Sequence, residues 1–337
     1  MRIASLLLLS SIALQSTVIA QTIVPLSSGT KSSFRGLETY KNKVVWVSGS
    51  SGTVGKSVDA GKTWQWISPK GYEKFDFRDI EVFSKKEAVI VSAGSPAVIL
   101  HTKDGGNNWK EVYRNEREEI FLDGMDFNGK TGYILGDPID GAFQLLKSTD
   151  RGKTWQDVTE EIALFAEEGE AAFAASGTSL QLLQNNLYIG TGGQQASLFK
   201  RNKKENKLDI LDVPIQKGGS GTGIFSIDFL NEREGVVVGG NYEKDQDNSN
   251  NIYLTKNAGL SWEKPQTPVF GYRSCVKYIN ANTLIATGTS GTDVSFDGGM
   301  NWKNISKDSF NVIAASANTK HIYLAGSNGN IVQLLLD

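Results

Sequence analysis

The sequence is poor in the residues from which most metal sites and covalent cross-links are built. Its 337 residues include one cysteine, Cys275, and two histidines, His101 and His321. A single thiol cannot form an internal disulfide, and so few sulfur and imidazole ligands leave zinc or iron almost without donors. We therefore expect no metal and no organic cofactor, a fold held by burial and hydrogen bonding, and Cys275 in the core.

The sequence also lacks a large excess of either basic or acidic residues, and it has few long apolar runs. The chain has 35 basic and 37 acidic residues, a net charge of −2, so it lacks the basic footprint of a nucleic-acid-binding protein. The main apolar run, residues 3–14, follows Arg2 and leads to small residues ending at Ala20, which is the pattern of a secretory signal. No run is long enough to span a membrane unaided. The pattern predicts cleavage near Ala20 and export to the periplasm or beyond, with an N-terminal anchor as the alternative.

One octapeptide pattern occurs five times, with Ser or Thr first, Asp or Asn third, Gly fifth and Trp eighth. Its third, fifth and eighth positions are Asp59, Gly61 and Trp64; Asp104, Gly106 and Trp109; Asp150, Gly152 and Trp155; Asn257, Gly259 and Trp262; Asp297, Gly299 and Trp302. The Asp and Ser oxygens can accept backbone amide hydrogen bonds, Gly permits a left-handed backbone, and Trp can cover the next strand. The pattern therefore indicates a structural hairpin turn.

Each octapeptide lies within a unit of four β-type runs. Seven aromatic residues mark the first runs, at intervals of 38 to 52 residues: Phe34, Phe77, Phe121, Phe173, Phe225, Tyr272 and Phe310. Four strands per unit predict an all-β, seven-bladed β-propeller of antiparallel blades, one domain over 21–337 with blades starting near 33, 76, 120, 172, 224, 271 and 309. The fourth unit has a polar stretch in place of the octapeptide, for which we expect a longer turn. The seventh has three strands, so we expect residues 22–26 to complete it and close the ring.

The repeated octapeptides and the segments FRDIEVF and VSGSSGTVGKSVDAGKTW resemble the BNR/Asp-box propellers, in particular the photosystem II stability/assembly-factor-like propellers. The resemblance covers essentially the whole chain after residue 20. It implies an exported propeller that assembles or binds proteins and has no assigned catalytic activity. More distantly the chain is similar to sialidase-like propellers, but it lacks their Phe-Arg-Ile-Pro segment.

The candidate binding residues cluster where the first strands start. In a propeller these starts, with the loops joining second to third strands, surround one mouth of the central channel, and the Asp boxes lie on the other face. The candidates are Arg35, Arg78, Asp79, Asp123, Asp126, Glu170 and Arg273. Three arginines at one mouth would bind a carboxylate, a phosphate or an acidic peptide. Alternatively, these charged residues pair with each other and only line the channel wall.

Two functions remain open from sequence. The first is a non-catalytic binding or assembly scaffold, monomeric, with a protein, an acidic ligand or a carbohydrate at the channel mouth. The second is a glycoside hydrolase of sialidase-like architecture, using a carboxylate pair or Tyr272 beside Arg273. The 242–251 loop alternates oxygen-bearing residues but lacks the Gly and Glu of a calcium loop, so we interpret it as a solvated acidic loop.

Overall fold

Seven small antiparallel sheets surround a central channel in this computed structural model, which describes residues 21–26 and 29–336. The predicted signal peptide and its cleavage site lie outside the described residues. The seven-bladed propeller is confirmed. Each blade follows the chain outward from the channel, since its first strand is innermost and each later strand pairs with the one before.

The first half of the ring consists of the N-terminal strand and blades 1 to 3. The first strand of the described residues is β1 Gln21–Leu26. Blade 1 is β2 Phe34–Tyr40, β3 Val44–Gly49, β4 Thr53–Ser57 and β5 Gln65–Ile67. Blade 2 is β6 Asp76–Val82, β7 Ala88–Ala93, β8 Ala97–Thr102 and β9 Lys110–Asn115. Blade 3 is β10 Leu122–Asn128, β11 Thr131–Ile139, β12 Ala142–Ser148 and β13 Gln156–Asp157, followed by the helix α1 Thr159–Ile162 and β14 Glu170–Ala171.

The second half of the ring is less regular. Blade 4 is β15 Leu180–Leu183, β16 Asn186–Gly190, β18 Ser197–Asn202 and β19 Lys207–Asp212, interrupted by β17 Gly192–Gly193. Blade 5 is β20 Thr222–Phe229, β21 Gly235–Asn241 and β22 Ile252–Thr255, extended towards the channel by β17 and β14. Blade 6 is β23 Cys275–Tyr278, β24 Leu284–Gly288, β25 Gly291–Ser295 and β26 Trp302–Ser306. Blade 7 is β27 Val312–Ala315, β28 Ile322–Ala325 and β29 Ile331–Leu336.

The N-terminal strand closes the ring. Strand β1 pairs antiparallel with β29, from Gln21 opposite Leu336 to Leu26 opposite Ile331, and so becomes the outer strand of blade 7. Ile23 and Leu26 pack against the hydrophobic cluster that blade 7 shares with blades 1 and 6. The predicted closure is confirmed, and it covers the edge that β29 would otherwise expose.

The Asp boxes follow the third strands of their blades; in blades 1, 2, 3 and 6 they form the turn to the fourth strand, and in blade 5 the box leads only to an isolated bridge between Leu254 and Glu263. In the first box Ser57 Oγ accepts the Gly61 amide at 2.8 Å, and Asp59 Oδ1 accepts the Thr63 amide at 2.9 Å. Gly61 has φ of +84°, a left-handed conformation that Gly adopts without strain. The indole of Trp64 donates to the Gly61 carbonyl at 3.0 Å, which fixes the ring over the turn.

Blade 4 departs from the expected pattern in two ways. Its outer hairpin has a short polar turn, 203–206, where we expected a longer one. Its inner strand begins at Leu180, whereas the sequence pattern puts the start near 172. The reason is that Phe173 stacks on the ring of Phe225, with centroids 3.9 Å apart, and residues 172–179 turn across the channel mouth before the strand begins. Gly177, with φ of +74°, lies so close to the Asp79 carboxylate that a side chain there would collide with it.

Candidate functional site at the channel mouth

Four inner strands carry a β-bulge at the same place, near the start of the strand. The register shifts at Arg35 in β2, Arg78 in β6, Asp123 in β10 and Phe225 in β20. A bulge inserts one unpaired residue and redirects its side chain. All four bulged side chains line one cavity, which we call the mouth cavity.

The mouth cavity opens at the end of the channel where the inner strands start. It has a volume of ≈ 350 Å³ and is lined chiefly by Arg35, Arg78, Phe121, Asp123, Asp137, Phe173, Phe225, Tyr242 and Tyr272. The loops joining second to third strands lie on this face, and the Asp boxes lie on the opposite face. Aromatic rings form one wall, since Phe225 stacks on Phe173 and meets Tyr272 edge to face at 4.8 Å.

Two arginines reach this cavity together. Arg35 donates from Nη1 to the Ala175 carbonyl at 3.0 Å, and burial lowers its pKa, with the nearby charge of Arg78 lowering it further. Arg78 pairs with Asp76 at 2.9 Å, and its guanidinium lies 5.4 Å from the centre of the Phe121 ring. Its side chain remains 28% exposed, so it retains donors for a ligand. Two guanidinium groups this close attract a carboxylate or phosphate.

A buried carboxyl group lies beside these arginines. Asp123 is 1% exposed, and its Oδ2 has no hydrogen-bond partner among the described residues. Burial raises the pKa of Asp123 well above its usual range, and the nearby Asp137 raises it further, while Arg78 opposes the shift. Burial also raises the pKa of Asp137, whose Oδ1 accepts the Ala172 amide at 2.9 Å. The raised pKa values of both carboxyl groups reduce the negative charge that they contribute beside the two arginines.

The mouth cavity is also lined by backbone that no strand pairs with. In the described part of the chain, the amides of Phe173, Ala174 and Ala175 form no hydrogen bond with other backbone groups or side chains. The Ala175 carbonyl is held only by Arg35. Unpaired backbone beside a cavity can form main-chain hydrogen bonds with an added peptide.

The expectation that three arginines converge on one mouth requires correction at Arg273. This residue is fully buried outside the mouth cavity, and its Nη2 and Nε lie 2.5 and 2.8 Å from Asp293 Oδ2. Its Nη1 donates to the Tyr272 carbonyl and to Ser290 Oγ, both at 2.7 Å. Inner strand β23 starts only at Cys275 and has no bulge, so nothing turns the guanidinium towards the channel.

Three further candidates also lie away from the mouth. Asp79 Oδ2 accepts the Met125 amide of the next blade at 2.7 Å, and Asp126 Oδ2 accepts the Leu182 amide at 2.5 Å. These carboxyl groups therefore join neighbouring blades at the inner wall. Glu170 accepts hydrogen bonds from the Thr191 hydroxyl and the Glu167 amide beside β14, and it does not line the mouth cavity.

The opposite end of the channel carries a ring of charge, of which sequence reasoning found only Asp126 and placed it at the mouth. This lower channel, of ≈ 430 Å³, includes Glu38, Glu81, Asp126, Asp228 and Lys277. Lys277 Nζ lies 3.6 Å from Asp228 Oδ1, and this attraction raises the Lys277 pKa. Burial raises the pKa of Asp126 to about 7. The four acidic residues, Glu38, Glu81, Asp126 and Asp228, each lie three residues after the bulged residue of their inner strand. This regular spacing can be recognised only when the bulge positions are known.

Neither a metal centre nor a membrane helix is found in the described part of the chain. No group of three or more His, Cys, Asp or Glu side chains among residues 21–26 and 29–336 is arranged to hold a metal. In the 242–251 loop, Asp247 Oδ1 accepts the Ser249 amide at 2.9 Å. No helix in the same ranges is both long and apolar enough to cross a bilayer.

Comparisons with known proteins agree with this architecture. The family described as photosynthesis system II assembly factor YCF48 matches residues 26–118 and 76–170. The chain is 21% identical over 296 residues to the photosystem II assembly lipoprotein Ycf48 of Synechococcus sp. (strain CC9902), covering 85% of this chain and 80% of that protein. The chain is thus similar to the photosystem II assembly factors, which are propellers of the BNR/Asp-box type.

Solved structures show the same fold. A structure described as YCF48 bound to D1 peptide superposes with a TM-score of 0.67 at 15% identity, covering 94% of this chain and 97% of that one. YCF48 from Cyanidioschyzon merolae gives 0.65 at 17% identity, covering 93% and 98%. The Pan2 WD40 domain of Neurospora crassa gives 0.59 at 13% identity, covering 90% and 89%, so the likeness extends to propellers of other kinds.

Proposed function

We propose that this protein is an exported, non-catalytic assembly scaffold that binds an extended acidic segment of a partner protein at the mouth cavity. The observation that carries the proposal is the position of Arg35 and Arg78 beside the unpaired backbone of residues 173–175. The backbone supplies main-chain hydrogen bonds, and the two guanidinium groups supply charge-assisted bonds to acidic side chains or a terminal carboxylate.

The relatives support this class of function. The curated relative is named an assembly lipoprotein, and one structural neighbour is described as bound to a peptide. Those partners belong to those proteins. For this chain we infer only the shared chemistry, namely a protein segment held at one face of a monomeric propeller outside the cytoplasm.

The alternative, a glycosidase of sialidase-like architecture, finds less support in the geometry. Tyr272 is 3% exposed, and burial raises its pKa strongly, which makes it a poor nucleophile. Arg273 beside it is committed to Asp293. The carboxyl pair left in the mouth cavity is Asp123 and Asp137, and an aryl-glycoside panel with Asp123→Asn as its control tests that pair.

The binding proposal is tested with the chain from Gln21 onward and a labelled acidic peptide with a free carboxyl terminus, titrated by fluorescence anisotropy. Arg35→Ala and Arg78→Ala are each expected to weaken binding about tenfold, since each removes a charge-assisted hydrogen bond of about 1.5–3 kcal/mol. Arg117→Ala is the matched control, because Arg117 lies outside the mouth cavity and its side chain is 49% exposed.

Three results would contradict the proposal. Equal affinity of wild type and the Arg35→Ala/Arg78→Ala double variant, with unchanged circular dichroism, would remove the mouth cavity as the site. Capture of the same envelope proteins by both forms in a pull-down would exclude the cavity as the site for the natural partner as well. A cell fractionation that leaves the protein in the cytoplasm would contradict the exported part of the proposal.

A further inference from the structure

A second surface, on the Asp-box face, concentrates positive charge. The turns that join the first strand to the second in blades 1 and 2 lie side by side and form an open groove of ≈ 670 Å³. We call it the lysine groove and define it by Lys41, Lys43, Lys85 and Lys86, with Tyr40 and Ser84 between them. All four lysines are exposed, and they come from two short turns of a chain whose net charge is −2.

These lysines are not neutralised by the protein itself. Among the ion pairs of the described residues, none includes Lys41, Lys43, Lys85 or Lys86. Glu87, adjacent in sequence, instead lies 3.7 Å from Arg151 and 3.6 Å from Lys153.

The carboxylates of the two neighbouring boxes bind neutral groups of their own boxes and remain anionic, since these hydrogen bonds lower the pKa of Asp59 to about 2 and also lower that of Asp104. Asp59 accepts the amide and hydroxyl of Thr63, and Asp104 accepts the amide and side chain of Asn108. Lys56, half-buried at the edge of the cluster, has its pKa lowered by burial and then by Lys86 and Lys85. With four lysines against these two carboxylates, the groove still has a local excess of positive charge, which favours the binding of an external anion.

The residue type indicates which anion. Arginine forms fixed bidentate pairs with a single carboxylate or phosphate, and the mouth cavity has two arginines. The groove has only lysines, which are flexible point charges on long apolar stems. Lysines at a surface suit a diffuse array of negative charge, such as the phosphates of a lipid headgroup layer. Val58, 56% exposed in the adjacent box, adds an apolar side chain at the same face.

The topology places this groove opposite the mouth cavity. First-to-second strand turns and Asp boxes share one face, whereas the inner strands start at the other. Gln21 also lies at the Asp-box face, because it pairs with Leu336 at the end of β29. A surface contacted through the groove thus leaves the mouth cavity facing away from it and free for a partner.

We propose that the lysine groove is a peripheral membrane-binding surface that contacts anionic phospholipid headgroups. The contact is electrostatic and reversible, and it orients the propeller with the mouth cavity away from the bilayer. Membrane binding of this kind is independent of peptide binding at the mouth, because it uses different residues on the opposite face.

The test is co-sedimentation of the chain from Gln21 onward with phosphatidylcholine vesicles, with and without phosphatidylglycerol. Wild type is expected to bind only the anionic vesicles, with binding lost as salt is raised. Each lysine near the surface is expected to contribute about fivefold to the partition coefficient. The quadruple Lys→Gln variant at positions 41, 43, 85 and 86 should therefore lower the partition coefficient about 600-fold when the four contributions add.

Lys70→Gln/Lys74→Gln is the matched control, because both lysines are exposed in the loop between β5 and β6, on the mouth face. It should bind anionic vesicles as wild type does. No binding of wild type to anionic vesicles overturns the proposal, and so does equal binding by the quadruple variant. Binding of soluble inorganic phosphate without binding of vesicles also overturns it, and would make the groove a site for a free anion. Peptide affinity at the mouth, measured on the same variants, keeps the two proposals separate.

Discussion

Arg273 allows the sharpest separation of a structural charge from a binding charge. Its guanidinium and the Asp293 carboxylate are both fully buried and joined by two contacts of 2.5 and 2.8 Å. Asp293 also accepts the Phe270 amide at 3.0 Å and Asn304 Nδ2 at 2.9 Å, so its position is fixed from several sides. Arg273→Ala would leave that carboxylate buried without its cation.

Removing one partner of a buried ion pair costs about 3–5 kcal/mol. For a chain of this size that corresponds to a thermal midpoint about 5–10 °C lower. The double variant Arg273→Met/Asp293→Asn removes both charges while keeping an acceptor for the Phe270 amide, so it should recover much of the loss. Thermal unfolding of the chain from Gln21 onward, followed by circular dichroism, measures both.

Peptide affinity at the mouth is measured in parallel. Arg273→Ala should leave it near the wild-type value below the unfolding range, whereas Arg35→Ala should weaken it without a comparable loss of stability. The structural role of Arg273 is excluded if Arg273→Ala unfolds like wild type, or if it abolishes peptide binding in a fully folded protein. Either result would return Arg273 to the binding site.

Two further predictions concern the channel and the ring closure. The pKa of Asp126 is about 7 in the folded chain against an ordinary 3.8, so the folded state retains a proton that the unfolded state releases, and stability should fall as pH rises from about 4 to 7. Asp126→Asn should reduce this pH-dependent loss of the free energy of unfolding by on the order of 1–2 kcal/mol, after allowing for solvent and for Lys277. The measurement is the difference between thermal midpoints at pH 5 and pH 8, and the same difference in wild type and variant would contradict the assignment. Leu26→Ala should cost about 1–2 kcal/mol in urea unfolding, because half-buried Leu26 packs beneath Gly61 of the first box, whereas exposed Val24→Ala should cost little; equal losses would argue against closure by β1.

The fold was predictable because its determinants are local. In an Asp box, Ser57, Asp59 and Gly61 make their bonds within a few residues of one another, so the pattern can be recognised without knowing the rest of the chain. Repetition then supplies the architecture, and the three-stranded last unit predicts closure by β1. Blade 4 was misplaced because Phe173 has the expected residue type but stacks on Phe225, a contact between units that no local pattern encodes.

The site was less predictable because it depends on register. Arg35, Arg78 and Arg273 each follow an aromatic residue, so the sequence presents them as equivalent. In β2 and β6 the arginine is the extra residue of a bulge and turns into the mouth cavity.

In blade 6 the Tyr272–Arg273 dipeptide precedes the inner strand β23, and two long-range contacts determine where the arginine side chain lies. The Arg273 amide donates to the Gly239 carbonyl of blade 5 at 3.0 Å, while Asp293 draws the guanidinium into the blade. A buried carboxylate twenty residues away thus determines whether an arginine binds a ligand or stabilises the fold. Exchanging these roles would require both a bulge before Cys275 and the loss of the Asp293 charge, so a single substitution at Arg273 cannot create a third binding arginine.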